Sequence, residues 1–371
     1  MVKIAKASAF LCNVPVERPR TDAVQAFVQQ ETIFVDIEST DGASGTGYAY
    51  TIGTGGSAVV ELLEGYLLPQ VIGEDASRPE AIWRKVYDST RATMVGAITA
   101  LALAAVDIAI WDLRARSFEL PLWRLAGGAQ ERVALYDTDG GWLHLSAQEL
   151  VSNALTSVEQ GYKGVKLKVG KPSAAEDLAR LRAVREAIGP DVALMVDANQ
   201  GFTRDEALRR GRLFEPVDLT WIEEPLPADD VQGHAQLSSA IGTPVAVGES
   251  LYSLGQFREY LAAGAANVLQ PDVARVGGIT PWLKVAHLAE AFDVMIAPHF
   301  LMELHLSLAV AVPNGRWVEW IPQLSPLTTA PMTAADGWAV PPSSPGIGIS
   351  WDRSAIDALR LETRHERQHV P

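Results

Sequence analysis

The chain has one cysteine, Cys12, among its 371 residues, which excludes an intramolecular disulfide and favours a reducing compartment. It has no uninterrupted apolar run of transmembrane length, and its start, MVKIAKASAFLCNVP, lacks the long apolar core of a secretory signal. Positive charge is scarce, because 31 lysines and arginines face 45 aspartates and glutamates, a formal net charge of −14. These absences predict a cytoplasmic protein with neither nucleic acid nor a membrane surface as its partner.

Two common catalytic motifs are also missing. The glycine-rich pieces GASGTG and GTGGSA lack the Lys–Ser/Thr ending of a phosphate-binding loop and the helix context of a dinucleotide site, so they predict hairpin turns. No GxSxG pattern is present, and Cys12 has no setting that would activate a nucleophile.

The chain has enough apolar residues, 48%, for a sizeable core, and its length suits a barrel of roughly 250 residues plus a smaller domain. Residues 1–125 read as a β-meander followed by helices. Residues 126–321 alternate short strand-like runs with helical stretches. The Pro- and Gly-rich residues 322–371 lose this pattern, and we expect them to pack back on the amino-terminal domain.

The alternating part of the chain repeats one strand and one helix per unit, which implies right-handed βαβ crossovers and a parallel sheet. Eight strand candidates with no obvious reversal of order favour a closed barrel over an open doubly wound sheet. Charged residues recur at or just after the ends of these strands: Lys168, Asp197, Glu223, Glu249, Asp272, His299 and Glu319. In a parallel barrel such residues converge on one mouth, where active sites lie.

Three consecutive strand ends carry carboxylates, Asp197, Glu223 and Glu249. Each of them alone could be an ordinary cap for the next helix. Together, with no cysteine or histidine beside them, they suit a hard cation that takes oxygen ligands, and Mg²⁺ fits best.

Lys166 and Lys168 stand two apart in GVKLKVG, so both side chains point to the same face of a strand. That face should be the barrel interior, where lysine is unusual; the alternative is an exposed edge strand with solvated lysines. Mutual repulsion and partial burial should lower the amine pKa toward that of a general base.

Asp272 and His299 end strands across the barrel from the lysines, and a carboxylate beside an imidazole fixes the tautomer of the ring. His299 is therefore a second candidate acid/base. Glu319 could hydrogen-bond a substrate oxygen if protonated, or it could merely be a capping residue at the end of the last strand. The segment HFLMELH also offers His299, Glu303 and His305 as a transition-metal cluster, but the spacing is not that of a zinc-protease helix.

These residues resemble the motifs of the enolase superfamily, mandelate racemase subgroup, over essentially the whole chain. Within it, GVKLKVGKPSAAEDL, LMVDANQ, WIEEPL and APHFLMELHL are most similar to acid-sugar dehydratases of the L-talarate/galactarate type. The resemblance implies an α/β fold, a (β/α)₇β barrel of TIM type with an α+β amino-terminal capping domain completed by the carboxyl-terminal tail. It also implies a specificity loop at about residues 15–30 and a homo-oligomer of two to eight subunits.

The resemblance assigns roles to individual residues. Lys168 and the His299–Asp272 dyad are the bases, Lys166 contacts the substrate, and Glu319 is the electrophilic glutamate. The metal ligands are Asp197, Glu223 (rather than Glu224) and Glu249, and Asn199 contacts the substrate. Arg18 and Arg20 of VERPRTDAVQAF depart from the dehydratase pattern, and they could recognise a second carboxylate or face solvent.

The sequence therefore predicts a Mg²⁺-dependent dehydratase of an aldarate or aldonate, a small-molecule carboxylate. It would abstract the α-proton and form an enediolate that becomes a 2-keto-3-deoxy acid. The alternative is a racemase or epimerase that uses the Lys168 and His299 bases. A binding module without catalysis and a zinc hydrolase are further alternatives, which Mg²⁺-dependent α-proton exchange would distinguish.

Overall fold

The computed structural model describes residues 3–16, 19–27 and 29–361. No helix in these ranges is both long and apolar enough to cross a membrane. The amino-terminal strands are β1 (Ile4–Val14), β2 (Arg20–Thr21), β3 (Ala26–Phe27), β4 (Gln30–Ser39) and β5 (Ser44–Thr51). The helices that follow are α1 (Gly56–Leu62), α2 (Leu68–Val71), α3 (Pro79–Ser89), α4 (Ala97–Ser117) and α5 (Leu122–Leu125), with a π-helical turn at Leu63–Leu67.

The central part of the chain is the expected alternation. Its strands are β6 (Val133–Asp137), β7 (Gly164–Lys168), β8 (Ala193–Asp197), β9 (Trp221–Glu223), β10 (Val245–Val247), β11 (Val268–Leu269), β12 (Met295–Ile296) and β13 (Trp317–Trp320). Its helices are α6 (Ala147–Glu159), α7 (Ala174–Ile188), α8 (Arg204–Phe214), α9 (Val231–Ala240), α10 (Leu254–Ala262), α11 (Ile279–Glu290) and α12 (Met302–Ala311), with a 3₁₀ turn at Glu215–Val217.

Strands β6 to β12 are parallel neighbours in sequence order, and β13 returns to pair in parallel with β6. A parallel bridge between Ile296 and Gly315, just before β13, closes the ring. The closed barrel and the capping domain beside it confirm the predicted α/β fold class.

The tail after the barrel contains a 3₁₀ turn (Ser325–Leu327), β14 (Ala334–Ala335), β15 (Trp338–Ala339), α13 (Arg353–Leu359) and β16 (Arg360–Leu361). Strand β15 pairs antiparallel with the start of β6, and β16 pairs antiparallel with β1. The first sheet therefore has the order β16-β1-β4-β5 and contains strands from both halves of the chain.

Helix α4 lies between the first sheet and the barrel, which explains why its sequence is apolar on nearly every face. It packs directly on the backbone of β5, because a Cβ at Gly47 would lie 2.1 Å from the Ala105 carbonyl oxygen. Its two buried carboxylates, Asp107 and Asp112, accept hydrogen bonds from different parts of the chain. Asp107 accepts hydrogen bonds from the Thr280 amide (2.8 Å) and hydroxyl (2.7 Å) at the start of α11. Asp112 accepts from the amides of Thr46 in β5 and Ile347 in the tail.

Candidate active site

The three predicted metal ligands form one cluster at the carboxyl ends of neighbouring strands. Asp197 ends β8, Glu223 ends β9, and Glu249 follows β10 by two residues. One carboxylate oxygen from each lies within 4.8 Å of the others, and all three residues are buried. Glu249 Oε2 is buried without a hydrogen-bond partner. A buried carboxylate oxygen that accepts no hydrogen bond, within a cluster of three carboxylates, suits a cation, so the donor set fits a hard divalent metal such as Mg²⁺.

A glycine gives Glu249 its position. Gly248 separates the last residue of β10 from Glu249 and has φ +152°. A Cβ on Gly248 would lie 2.6 Å from the carbonyl carbon of Gln270, the residue that follows β11. The chain therefore passes so close to the neighbouring strand end that a side chain has no room there.

Both predicted lysines point into this cluster from β7. Lys166 is 1% exposed, and its Nζ lies 2.8 Å from Glu223 Oε1 and 2.7 Å from Glu319 Oε1. Lys168 donates to Asp197 Oδ2 at 2.6 Å. Their strand is held by the loop after β6, because the Lys168 amide donates to the Gly141 carbonyl at 2.7 Å. The lysines thus lie in the barrel interior, and an exposed edge strand is excluded.

The direction of the lysine pKa shift is opposite to the one predicted. Burial alone would lower the pKa of Lys168, but the nearby carboxylates, led by Asp197, outweigh burial and repulsion from Lys166 and raise it. The pKa of Lys166 is likewise raised well above its usual value by Glu223 and Glu319. The repulsion between two lysines was predictable from spacing, whereas the surplus of carboxylates around them depends on the barrel closing.

Glu319 is a carboxylate and not the protonated hydrogen-bond donor considered from the sequence. Burial opposes its charge, but Lys166 and His299 lower the pKa of Glu319 to about 2. Its oxygens accept from the Thr138 hydroxyl at 2.7 Å and from the Phe300 amide at 2.8 Å. Because all these partners donate, Glu319 holds Lys166 in place as an anion.

The predicted dyad forms. His299 Nδ1 lies 3.0 Å from Asp272 Oδ2, and the Tyr50 hydroxyl donates to the same oxygen at 2.6 Å. Burial opposes ionisation of Asp272, but the bond to His299 and nearby positive charge lower the pKa of Asp272 below its ordinary value. Because Asp272 is an acceptor, His299 Nδ1 must donate, which leaves Nε2 as the atom that takes or gives a proton. His299 Nε2 is 3.5 Å from Glu249 Oε2.

The alternative metal cluster in HFLMELH does not form. Both ring nitrogens of His305 are committed to the backbone, Nε2 accepting from the Val273 amide at 3.0 Å and Nδ1 donating to the Phe300 carbonyl at 2.7 Å. Burial lowers the pKa of His305 to about 4, so the ring is neutral. His305 therefore supports the loop that carries His299.

Arg275 and Tyr50 contact the site and were missed from the sequence. Arg275 Nη1 donates to the Glu249 carbonyl (3.0 Å) and lies 3.3 Å from Glu249 Oε1, while its Nε lies 3.8 Å from Asp272 Oδ2. Arg275 follows Asp272 by three residues in the turn before α11, a spacing that could have signalled the contact. Tyr50 comes from the capping domain, and no local pattern could have placed it here.

A cavity of about 170 Å³ joins these groups to the capping domain. Its walls include Lys168, His299, Glu249 and Glu319 from the barrel, and Arg20, Asp22, Gln25 and Phe27 from the β2–β3 hairpin. The hairpin thus covers the site, as a specificity loop is expected to do.

Two of the predicted substrate-binding residues, Asn199 and Arg20, line this cavity. Asn199 lines the cavity, and its Oδ1 is buried without a hydrogen-bond partner. Arg20 also lines it, so it does not simply face solvent; its Nη2 lies 3.0 Å from the Pro322 carbonyl and 3.2 Å from Asp139 Oδ1. Arg18 lies outside the described residues.

Fold and site together define a metal-dependent enzyme of proton transfer, because a carboxylate cluster able to hold a divalent cation reaches, through Glu249, the cavity that the Lys168 amine and the His299 imidazole line. Two family models match the chain, "Mandelate racemase / muconate lactonizing enzyme, N-terminal domain" over residues 6–127 and "Enolase C-terminal domain-like" over residues 149–355. The chain belongs to the mandelate racemase/muconate lactonizing enzyme family of the enolase superfamily.

Three relatives illustrate the range of this family. L-talarate/galactarate dehydratase of Salmonella typhimurium is 38% identical over 93% of this chain and 88% of its own. The 3,6-anhydro-alpha-L-galactonate cycloisomerase of Streptomyces coelicolor is 36% identical over 96% and 99%. A crystal structure of L-talarate dehydratase from Polaromonas sp. JS666, complexed with Mg and L-glucarate, has a TM-score of 0.93 at 39% identity and covers 98% of both chains.

Proposed function

We propose that this protein is a Mg²⁺-dependent dehydratase of an acid sugar, an aldarate or aldonate, and that it forms a 2-keto-3-deoxy acid. The observation that carries the proposal is that Lys168, His299 and Glu249, a member of the carboxylate cluster, line one cavity. The relatives that act on or bind acid sugars share this fold over nearly the whole chain.

Asp197, Glu223 and Glu249 would hold the cation. When bound, Mg²⁺ supplies positive charge that stabilises the negative charge developing on the substrate carboxylate. Lys166 contributes a second, fixed positive charge, since Glu319 and Glu223 hold its buried ammonium beside the carboxylate cluster. Such preorganised charge stabilises an enediolate without reorganisation during the reaction.

Lys168 and His299 are the candidate bases. They belong to β7 and to the loop after β12, which lie across the barrel from each other, so they approach a bound acid from opposite sides. One of them removes the α-proton, and the C–H electron pair passes into the enediolate. His299, when protonated at Nε2, then gives that proton to the departing β-hydroxyl as the C–O bond breaks, and the resulting enol tautomerises to the keto acid.

Substrate recognition is assigned to Asn199, Lys166 and Arg20. The unpartnered Asn199 oxygen is an acceptor for a substrate hydroxyl. The Arg20 guanidinium at the covering hairpin can pair with a distal carboxylate, which would favour diacids. Arg18 is retained as a second candidate for the same role.

Racemisation or epimerisation at the α-carbon is the second candidate function, because a base on each side of one cavity permits it with the same residues. We also propose a homo-oligomeric, cytoplasmic enzyme. Its domains would be a capping domain of residues 1–125, a catalytic barrel of residues 126–321 and a tail of residues 322–371 that completes the cap.

The test is a screen of the Mg²⁺-loaded protein against mono- and diacid sugars, read by 2-keto acid formation and by α-proton exchange in deuterated water. Keto acid from a diacid supports dehydration and directs mutation to Arg20. Exchange without keto acid would move the assignment to an epimerase. If no acid sugar gave either keto acid or α-proton exchange, the proposal would be overturned.

A further inference from the structure

Tyr50 brings the capping domain into direct contact with the catalytic dyad. It lies near the end of β5, is 3% exposed, and donates its hydroxyl to Asp272 Oδ2 at 2.6 Å. That oxygen is also the partner of His299 Nδ1 at 3.0 Å. A tyrosine from one domain and a histidine from the other therefore share one carboxylate oxygen.

The remaining lone pairs of Asp272 are also occupied. Its Oδ1 accepts from the amides of Ala274 at 2.8 Å and Arg275 at 3.3 Å. The backbone fixes one side of the carboxylate, and Tyr50 fixes the oxygen that orients His299. Since burial raises the pKa of Tyr50 well above its ordinary value, the residue stays a phenol and can only be the donor in this bond.

The Tyr50 ring is itself immobilised. Its centroid lies 4.5 Å from that of Phe300, which in turn stacks on the His299 ring at 5.3 Å with an interplanar angle of 13°. The Arg275 guanidinium carbon lies 5.7 Å from the Tyr50 ring centroid. The hydroxyl is thus held at its bonding distance by contacts that a phenylalanine at position 50 would keep.

We infer that Tyr50 is a positioning residue for His299, through which the capping domain sets the orientation of the base on one side of the substrate. The inference rests on the proposed function, because it assumes that His299 and Lys168 serve opposite faces. Lys168 is oriented by its hydrogen bond to Asp197, whereas the Tyr50 hydroxyl donates to Asp272. Loss of the Tyr50 hydroxyl should therefore slow proton transfer by His299 and leave proton transfer by Lys168 unchanged.

The experiment measures α-proton exchange in deuterated water for both C2 epimers of an accepted acid sugar, with Mg²⁺-loaded wild type and Tyr50→Phe. Lys168→Ala and His299→Asn identify which epimer depends on which base. We expect kcat for the His299-dependent exchange to fall about 10-fold or more, as for other supporting hydrogen bonds, with KM and the Lys168-dependent exchange within about 2-fold.

Tyr48→Phe is the matched control. Tyr48 is buried on the same strand two residues earlier, and its hydroxyl has no hydrogen-bond partner. It should leave both exchange rates within about 2-fold of wild type, because no bond is lost. An equal fall for both epimers in Tyr50→Phe, or no fall, would overturn the positioning role.

A measurement without substrate separates this inference from the proposed function, and its first readout needs only the wild type. Proton NMR of the Mg²⁺-loaded wild type should show a downfield, exchange-protected Nδ1–H resonance that is lost in His299→Asn and shifted in Tyr50→Phe. If no acid sugar reacts but this signal shifts, the proposed function fails and the Tyr50 contact stands. A wild type without the signal overturns the inference.

Discussion

Lys168 Nζ lies 2.6 Å from Asp197 Oδ2, so a proposed base and a proposed metal ligand form one buried ion pair. A cation bound to the Asp197 carboxylate would weaken the attraction between that carboxylate and the Lys168 ammonium group. Filling the carboxylate cluster and freeing the lysine for proton transfer are therefore linked events. The cluster is the first feature to test, because the state of the lysine depends on it.

Glu249→Gln should weaken Mg²⁺ binding by at least about 10-fold, because it removes one anionic oxygen donor from the cluster. In the wild type, Mg²⁺ at about 100 times its dissociation constant should add about 2.7 kcal/mol to the free energy of unfolding. Thermal unfolding with and without Mg²⁺ measures the difference. Glu303→Gln is the control, since Glu303 lines a separate cavity beside the tail and should keep the full shift. An unchanged shift in Glu249→Gln would contradict the ligand assignment.

Gly248→Ala should reduce Mg²⁺ affinity although every ligand is still present. Its Cβ would lie 2.6 Å from the Gln270 carbonyl carbon, so the chain must move and carry Glu249 with it. Calorimetric titration with Mg²⁺ provides the measurement. Gly65→Ala is the control, because a Cβ there meets nothing within 4 Å, and it should bind Mg²⁺ as the wild type does.

Lys168→Ala and His299→Asn should each abolish exchange for one C2 epimer and retain part of the exchange for the other. The reason is that the two bases approach from different sides of the cavity and each acts on its own face. Loss of a general base costs about 100- to 10,000-fold in rate, which NMR exchange measurements resolve easily. If both variants dehydrated and exchanged both epimers at the wild-type rate, the mechanism would be wrong.

Asp107 should make the protein less stable as the pH rises from about 4 to 7. Burial, opposed by its bonds to Thr280, raises the pKa of Asp107 to about 7 in the folded state. The folded protein therefore holds a proton that the unfolded chain has released, so stability is highest below the unfolded pKa and falls as pH passes the folded one.

The difference in unfolding free energy between pH 5 and pH 8 should accordingly be smaller in Asp107→Asn than in wild type. The size of the effect between these pH values is about 3 kcal/mol, because about two pH units separate pH 5 from the folded pKa and each is worth about 1.4 kcal/mol. Chemical denaturation at the two pH values measures it. Asp88→Asn, at an exposed position of α3, should show the wild-type difference.

Local periodicity predicted the alternation of strands and helices, because each element carries its own signal. Closure into a barrel was favoured by the lack of a reversal in strand order, and the structure shows it. Asp197 and Glu223 do end strands, and Thr203 and Ser253 accept the capping bonds from the amides of Glu206 and Gln256 that their spacing indicates. Ser173 has equivalent spacing but makes no side-chain bond. At the start of α11, Asp107 of α4 accepts a hydrogen bond from the Thr280 amide and so caps the helix from another element.

Contacts between distant segments were not predictable from such patterns. Tyr50 meets Asp272 across 222 positions of sequence, and only the packing of the cap on the barrel brings them together. The predicted direction of the lysine pKa shift was wrong for the same reason. Spacing shows that Lys166 and Lys168 are neighbours, whereas the number of carboxylates around them is a property of the closed ring.

The pairing of β16 with β1 has a consequence for the order in which the protein is made. Leu361 lies opposite Leu11, so the first sheet is finished by residues that leave the ribosome only after the whole barrel has been synthesised. Trp351 of the tail packs edge-on against Phe34 and Tyr48 of that sheet. During synthesis the barrel strands can pair first, and the first sheet of the capping domain is completed last. The edge of β1 would then lack its β16 partner until Arg360 and Leu361 have been synthesised.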